Sequence, residues 1–251
     1  MRILVCIKRV AEPGATIPIA PDGTTIAASS LQHSIGPHDE CAIAEAIRLT
    51  ERHGGTVAAL CLGPRSAEEQ LRQTLAVGVD AAVLVVSNHN DPDAQQTASA
   101  LLSTIESIEQ VEGPFDVILF GNESADSGGF QVGIRVAHGL SRPVISGVKQ
   151  IEIDGEFLTA GRESQAGTEL FRLPLPAVLA VRDGISLPRY PTLGGRLAAK
   201  RATIDYRDAS LPPKQQRTIR LETRRDNRGR ETEVLTDVPE VVGVFERLGI
   251  L

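Results

Sequence analysis

Four short runs that are apolar almost from end to end constrain this chain most: RILVCIK (2–8), TVAALCL (56–62), AAVLVV (81–86) and DVILFG (116–121). A strand with one wet face alternates apolar and polar side chains, so runs without alternation are buried on both faces. Segments with helical spacing separate them. Pro37 stands where a helix starts, because a first-turn proline loses no intrahelical hydrogen bond. Asp39 and Glu40 suit the positive first turn. Ala42, Ile43, Ala46, Ile47 and Leu49 form its apolar stripe, and Gly54-Gly55 ends it. Ala67 to Val77 with Gly78 as terminator, Ala94 to Ile108, and the stretch 129–140 read as three further helices. Short buried strands alternating with helices predict an open, doubly wound, mostly parallel α/β sheet.

The grammar changes after residue 145. Apolar and polar residues alternate around Asp154-Gly155 and Ala166-Gly167, as in hairpins, and PAVLAV (176–181) is suited to rejoin the main sheet. A smaller hairpin is expected to turn at Asp22-Gly23. From Pro188 the chain is rich in Pro and Gly, and the stretch 214–231 is strongly charged with few apolar anchors. The organisation expected is an α/β domain with hairpin insertions (1–185), a constrained loop (186–201) and an extended arm (202–251) lying on its own domain or on a partner.

The remaining composition excludes several classes. A net charge of −6 argues against a nucleic-acid surface, and 3% aromatics with no Trp against base-stacking platforms. No apolar run approaches membrane-spanning length. The N-terminus enters a strand directly, without the pattern of a secretory signal. Cys6, Cys41 and Cys61 show no CxxC spacing, and Cys6 and Cys61 lie in apolar runs as reduced core residues. A cytoplasmic protein is expected. Histidines 33, 38, 53, 89 and 138 lack metal-ligand spacing, and no GxSxG elbow, GxxxxGK[ST] or GxGxxG occurs. A hydrolase is therefore disfavoured.

Ligands of doubly wound sheets collect at the carboxyl ends of strands, where helix N-termini offer free N–H groups. Three stretches occupy such places: Val5 to Arg9, Leu62 to Pro64, and GNESADSGGFQVG (121–133). The last is either an ordinary loop or a seat for a phosphorylated ligand. In the second reading Gly121 ends the strand without a Cβ in the ligand's way. Gly128 and Gly129 bring amides close, and Ser124 and Ser127 add hydroxyls. Asp126 is awkward beside a phosphate and suits backbone amides, a hydroxyl or a helix cap instead. The letters DSGG occur in the ATP-pyrophosphatase loop, but here in the wrong order and after the wrong strand. His38 lies beside a helix start, where a cofactor can touch it. SLPRYPTLGGRLAAKR (186–201) either folds back on its own domain or exposes Leu193 as an anchor for a partner's pocket.

In this order, these stretches resemble the β subunit of electron transfer flavoproteins, the family that includes the FixA proteins. ILVCIKRV is similar to the family's opening strand, and SIGPHDECAIAEAIRL to its Asn-Pro signature with Gly36 in place of Asn. LGPRSAEEQLRQTLAVGVDAAVLV parallels a Cys-Gly-Pro segment, and LPAVLAVRDGISLPRYPTLGGRLAAKR a Pro-Arg-Tyr-x-Thr-Leu loop. Asp126, Gln131 and Gly133 match the run after the fourth strand, whereas Phe130 replaces a small residue. His38 and Pro13 stand where the family has flanking aromatic positions near the flavin.

The resemblance implies a Rossmann-like, adenine-nucleotide-binding fold and a heterodimer with an α subunit that carries the redox-active FAD. The β site would hold AMP or, as in electron-bifurcating relatives, a second FAD. Carried over by position, the cofactor-binding residues are Cys6, Gly36, Pro37, His38, Asp39, Leu62, Gly121, Asn122, Glu123, Ser124, Ala125, Asp126, Ser127, Gly128, Gly129, Phe130, Gln131 and Val132. Tyr190, Leu193, Arg196, Lys200 and Arg201 would dock flavin-dependent dehydrogenases. Electrons would leave through the α-subunit FAD to a quinone oxidoreductase or other acceptor, with no catalytic residue here. The charged arm would wrap the α subunit. A competing expectation is a stand-alone ATP/AMP-binding module of the stress-protein type.

Overall fold

A computed structural model of the chain describes residues 1–12, 14–18, 26–27, 31–87, 92–213 and 234–250. The expected turn at Asp22-Gly23, Pro13, His89 and the charged stretch 214–231 lie outside them.

The four apolar runs form β1 (Arg2–Ile7), β4 (Thr56–Gly63), β5 (Ala81–Val86) and β6 (Val117–Gly121). Between the first two lie a short antiparallel ribbon, β2 (Arg9–Ala11) with β3 (His33–Ile35), and helix α1 (Pro37–His53). A 3-10 turn at Arg65–Ala67 leads into α2 (Glu68–Ala76). Helix α3 (Ala94–Glu112) outruns its expected end at Ile108, because the polar turn that follows stays helical until Gly113 takes a φ of 85°. Its start is fixed by a capping box in which Asp93 and Gln96 exchange hydrogen bonds.

Helix α4 (Val132–Gly139) precedes two hairpins, β7 (Val144–Asp154), β8 (Phe157–Ser164) and β9 (Gly167–Pro174). The chain then returns as β10 (Ala177–Val181), which inserts between β6 and β7 as PAVLAV suggested. Residues 193–201, expected as loop, form helix α5 (Leu193–Arg201), capped by the Thr192 hydroxyl. Gly194 and Gly195 hid that helix from propensity. Asp205–Asp208 forms β11 and extends the parallel sheet beside β5, so the segment after residue 201 begins on its own domain. The last described element is α6 (Val238–Arg247), none of whose residues is buried.

All eleven strands among the described residues but β2 and β3 join one sheet in the order β11-β5-β4-β1-β6-β10-β7-β8-β9, parallel from β11 to β7 and antiparallel beyond. Helices α1 and α2 cover one face, over a core containing Ile3, Val5, Ala46, Leu71 and Leu119. Helices α3 and α4 cover the other, over Leu4, Leu60, Ile105, Ile118 and Val136. This is the doubly wound sheet the apolar runs require. Growing from β1, the chain first adds β4 and β5 on one side and then crosses to β6 on the other. That reversal opens a crevice at the carboxyl ends of β1 and β6, the place where such sheets bind ligands.

Candidate functional site

One buried carboxylate organises the crevice. Asp39, in the first turn of α1, accepts the Lys8 N–H at 2.9 Å through Oδ2 and the Gly121 N–H at 3.0 Å through Oδ1. Lys8 follows β1 and Gly121 ends β6, so Asp39 joins the two strands on either side of the switch point. Burial pushes its carboxyl up to about 7, against the pull of those two N–H donors and the Lys8 ammonium. A Cβ on Gly121 would lie 3.0 Å from both the Asp39 amide and the His38 Cβ, and in collision with Asp39 Oδ1. The expectation that Gly121 makes room for a ligand is thus corrected: it makes room for Asp39.

The loop after β6 is closed by its own hydrogen bonds. Gly128 N–H donates to the Ser124 carbonyl (2.8 Å) and Gly129 N–H to Ser124 Oγ (3.2 Å), while Ser124 N–H donates to the Gly129 carbonyl (3.1 Å). The Ser124 and Ser127 hydroxyls are 2.8 Å apart. The amides of Gly128 and Gly129 therefore do not stand ready for a phosphate. Nor do they head a helix, because α4 begins at Val132. The amides left without an intrahelical acceptor are those of the first turn of α4. Asp126 takes the hydroxyl partner foreseen for it, Ser127 at 3.2 Å, and also the Lys8 ammonium at 2.7 Å. Burial pushes the Asp126 carboxyl up, and the Lys8 ammonium with the two hydroxyls more than reverses this, leaving it below the ordinary range. Lys8 belongs to the strand-end stretch Val5 to Arg9, whose sequence carries no sign of this role. Its partner is far away in sequence, and no local signal announces it.

A cavity of about 350 Å³ opens between the start of α1 and this loop, lined by Pro37, His38, Glu123, Ser124, Ala125 and Gly128. His38 Nε2 lies 3.5 Å from Asp183 Oδ1, and its Nδ1 is buried without a hydrogen-bond partner among the described residues. Asn122 sits beside the cavity and stitches the sheet: its N–H donates to the Val181 carbonyl, and its side chain accepts the Gly147 N–H at 2.7 Å. Gly36 caps α1 without a side-chain bond. Of the other predicted residues, Cys6 is buried in the core beside Phe120, and Leu62 and Val132 pack against that same core. Gln131 accepts from Arg135, and Phe130 is exposed. Cys6 thus matches its core reading and stands apart from the cavity lining. Among the described residues no group of three or more His, Cys, Asp or Glu could hold a metal ion.

The second predicted stretch is anchored and exposed at once. Ser186 Oγ donates to the buried Glu45 at 2.6 Å, and the Arg189 guanidinium donates two hydrogen bonds to the Glu51 carboxylate at 2.7 and 2.6 Å. Arg72 donates to the Ala199 carbonyl at 2.6 Å, and a Cβ on Gly195 would strike the Ala76 carbonyl, so α5 lies tight on α2. Leu193 opens this helix instead of tipping a loop, and remains 77% exposed. Tyr190 is 93% exposed, and Arg196, Lys200 and Arg201 also face outward. Leu187 and Leu197, which sequence reading passed over, are exposed beside them. The stretch folds onto its own domain and leaves Leu187, Tyr190, Leu193 and Leu197 exposed. Among the described residues no helix is long and apolar enough to cross a membrane.

Comparison with known proteins gives one consistent result. The family model of the electron transfer flavoprotein domain matches residues 23–212. The chain is 34% identical over 207 residues to "Electron transfer flavoprotein subunit beta" of Bacillus subtilis, covering 82% of this chain and 78% of the relative. It is 33% identical over 196 residues to the protein of the same name from Thermoanaerobacterium thermosaccharolyticum, covering 78% and 73%. To "Protein FixA" of Sinorhizobium fredii it is 31% identical over 208 residues, covering 81% and 73%.

Proposed function

The chain belongs to the electron transfer flavoprotein family, beside its β subunits and FixA proteins, and from that premise we propose that it is the β subunit of a cytoplasmic heterodimer and holds AMP as a structural ligand. The observation that carries this reading is the cavity at the switch point, bounded by the starts of α1 and of the loop after β6. At about 350 Å³ it lies at the small end of ligand sites, which span roughly 300–1,000 Å³. That size suits a mononucleotide better than a second FAD.

The residues present fit an adenylate. His38 Nδ1, buried without a partner among the described residues, supplies one polar contact to a base or hydroxyl. Glu123 and Ser124 line the opposite wall, and α4, which follows the loop, carries partial positive charge on its first-turn amides. Asp39 and Gly121 hold the two walls in register. The nucleotide supplies no redox chemistry. By binding only the folded form it stabilises that form through mass action.

The electron-carrying group is the FAD of the α subunit, and this chain's part is to position partners around it. Flavin-dependent dehydrogenases dock on the row of Leu187, Tyr190, Leu193 and Leu197, with Arg196, Lys200 and Arg201 meeting acidic surfaces. A quinone oxidoreductase or other acceptor takes the electrons onward. The arm leaves the sheet after Asp208 and lies on the α subunit, presenting the apolar face of α6. This chain turns over no substrate of its own. The test is extraction of the purified heterodimer by denaturation and chromatography, with one FAD and one AMP per pair expected. Two FAD and no AMP would replace this reading with the bifurcating one, and one FAD with no adenylate would remove the structural ligand.

A further inference from the structure

The cavity is poor in positive charge for a site that accepts a phosphate. Glu123 lines it, Asp126 belongs to its loop, and Asp39 follows the lining residue His38. Lys8 is placed between two of these three carboxylates: its backbone N–H goes to Asp39, and its ammonium goes to Asp126 at 2.7 Å and Ser127 Oγ at 3.3 Å. The pair is half-exposed, with side-chain exposures of 45% for Lys8 and 31% for Asp126. Lys8 also leaves β1 on the strand side of the crevice, so its side chain crosses the switch point to reach the loop.

Resting on the adenylate reading of this cavity, we propose that Lys8 sets its preference for a phosphorylated ligand by cancelling the charge of Asp126, not by touching the phosphate. The ammonium is already committed to the Asp126 carboxylate and the Ser127 hydroxyl, while the loop is closed by its own bonds among Ser124, Ser127, Gly128 and Gly129. Without Lys8 a phosphate approaching α4 meets an unpaired carboxylate on the loop. A ligand without phosphate meets no such repulsion. The carboxyl of Asp126 is held below its ordinary range by this ammonium and by the hydroxyls, so it is charged at neutral pH.

The test is calorimetric titration of the full-length chain, freed of copurified nucleotide, with AMP and with adenosine. Lys8→Met should weaken AMP binding about tenfold, the scale of one screened unit charge at a few ångströms, and leave adenosine binding unchanged. Asp126→Asn should bind AMP at least as well as wild type. The Lys8→Met/Asp126→Asn double variant should return AMP affinity to within about threefold of wild type. A double variant as weak as Lys8→Met would overturn compensation, since Lys8 would then act on the ligand directly. Equal AMP affinity in wild type and Lys8→Met would overturn the proposal while leaving the cavity's adenylate reading standing. Wild type that binds neither compound would remove that reading, and the proposal with it.

Discussion

Replacing Gly121 by Ala is the most direct perturbation of the switch point. The new methyl would meet the Asp39 and His38 atoms named above, in a first helical turn that cannot retreat without disturbing α1. Inserting one methyl group into a packed site costs about 1–3 kcal/mol. Moving Asp39 also weakens the Gly121 N–H bond to its carboxylate, and bonds to charged groups are worth about 1.5–3 kcal/mol. Loss of unfolded-chain freedom returns about 0.4–1 kcal/mol. The net loss is about 2–5 kcal/mol, against a total stability of about 5–15 kcal/mol. For a chain of this size a loss of about 3 kcal/mol lowers the midpoint by about 10 °C. Differential scanning calorimetry of the isolated chain measures it, with Gly194→Ala as control. There the nearest atom to a new Cβ is 4.0 Å away, and no loss is expected. AMP affinity should fall with Gly121→Ala, because His38 is displaced with Asp39. A variant that melts within 1–2 °C of wild type (roughly the scatter of such scans) and binds AMP normally would refute the packing argument.

Asp39 also gives the stability a pH dependence. Its folded pKa of about 7 stands above the ordinary value of 3.8, so between these values the native state binds the extra proton. Stability from this group is fully present below the unfolded value and is lost as pH rises through 7, by up to about 4 kcal/mol at about 1.36 kcal/mol per unit. Denaturant titrations from pH 4 to 8 should show a shallower decline in Asp39→Asn than in wild type; an equal decline assigns the slope elsewhere. Glu45→Gln should cost about 1–3 kcal/mol and speed amide hydrogen exchange around Ser186, because a buried acceptor shared by Arg48 and Ser186 is weakened. Unchanged exchange would mean that Glu45 does not hold this segment. Leu193→Ala should slow reduction of the heterodimer by a flavin dehydrogenase while its flavin and nucleotide content stays constant, and an unaltered rate would remove Leu193 from docking.

The parts of the fold that were legible in sequence are those governed by local rules. AAVLVV became β5 at the expected bounds, and Pro37 and Gly54 bracket α1 as their backbone preferences require. Asp154-Gly155 turned the first long hairpin, with Gly155 at a φ of 59°. Features set by tertiary contact were not legible. DYRD carries no strand pattern, and becomes β11 only because β5 offers it a free edge. Helix α5 survives two glycines because Gly195 must approach the Ala76 carbonyl closely. At the site, the composition of 121–133 correctly marked a polar turn at a strand end. It could not show that Ser124 would consume the amides of Gly128 and Gly129, or that Gly121 would yield its space to Asp39. Both depend on partners brought together by the fold. Asp39 itself was visible as a favourable first-turn acid, but its bonds to Lys8 and Gly121 were not.

A crystal structure of the assembled heterodimer with its copurified ligand tests the central claim most directly. The account predicts an adenylate between Pro37-His38 and the loop from Glu123 to Gly128, its phosphate toward the first turn of α4 and the Lys8–Asp126 pair intact. A crevice filled by the chain's own side chains, with any nucleotide bound elsewhere, would contradict it.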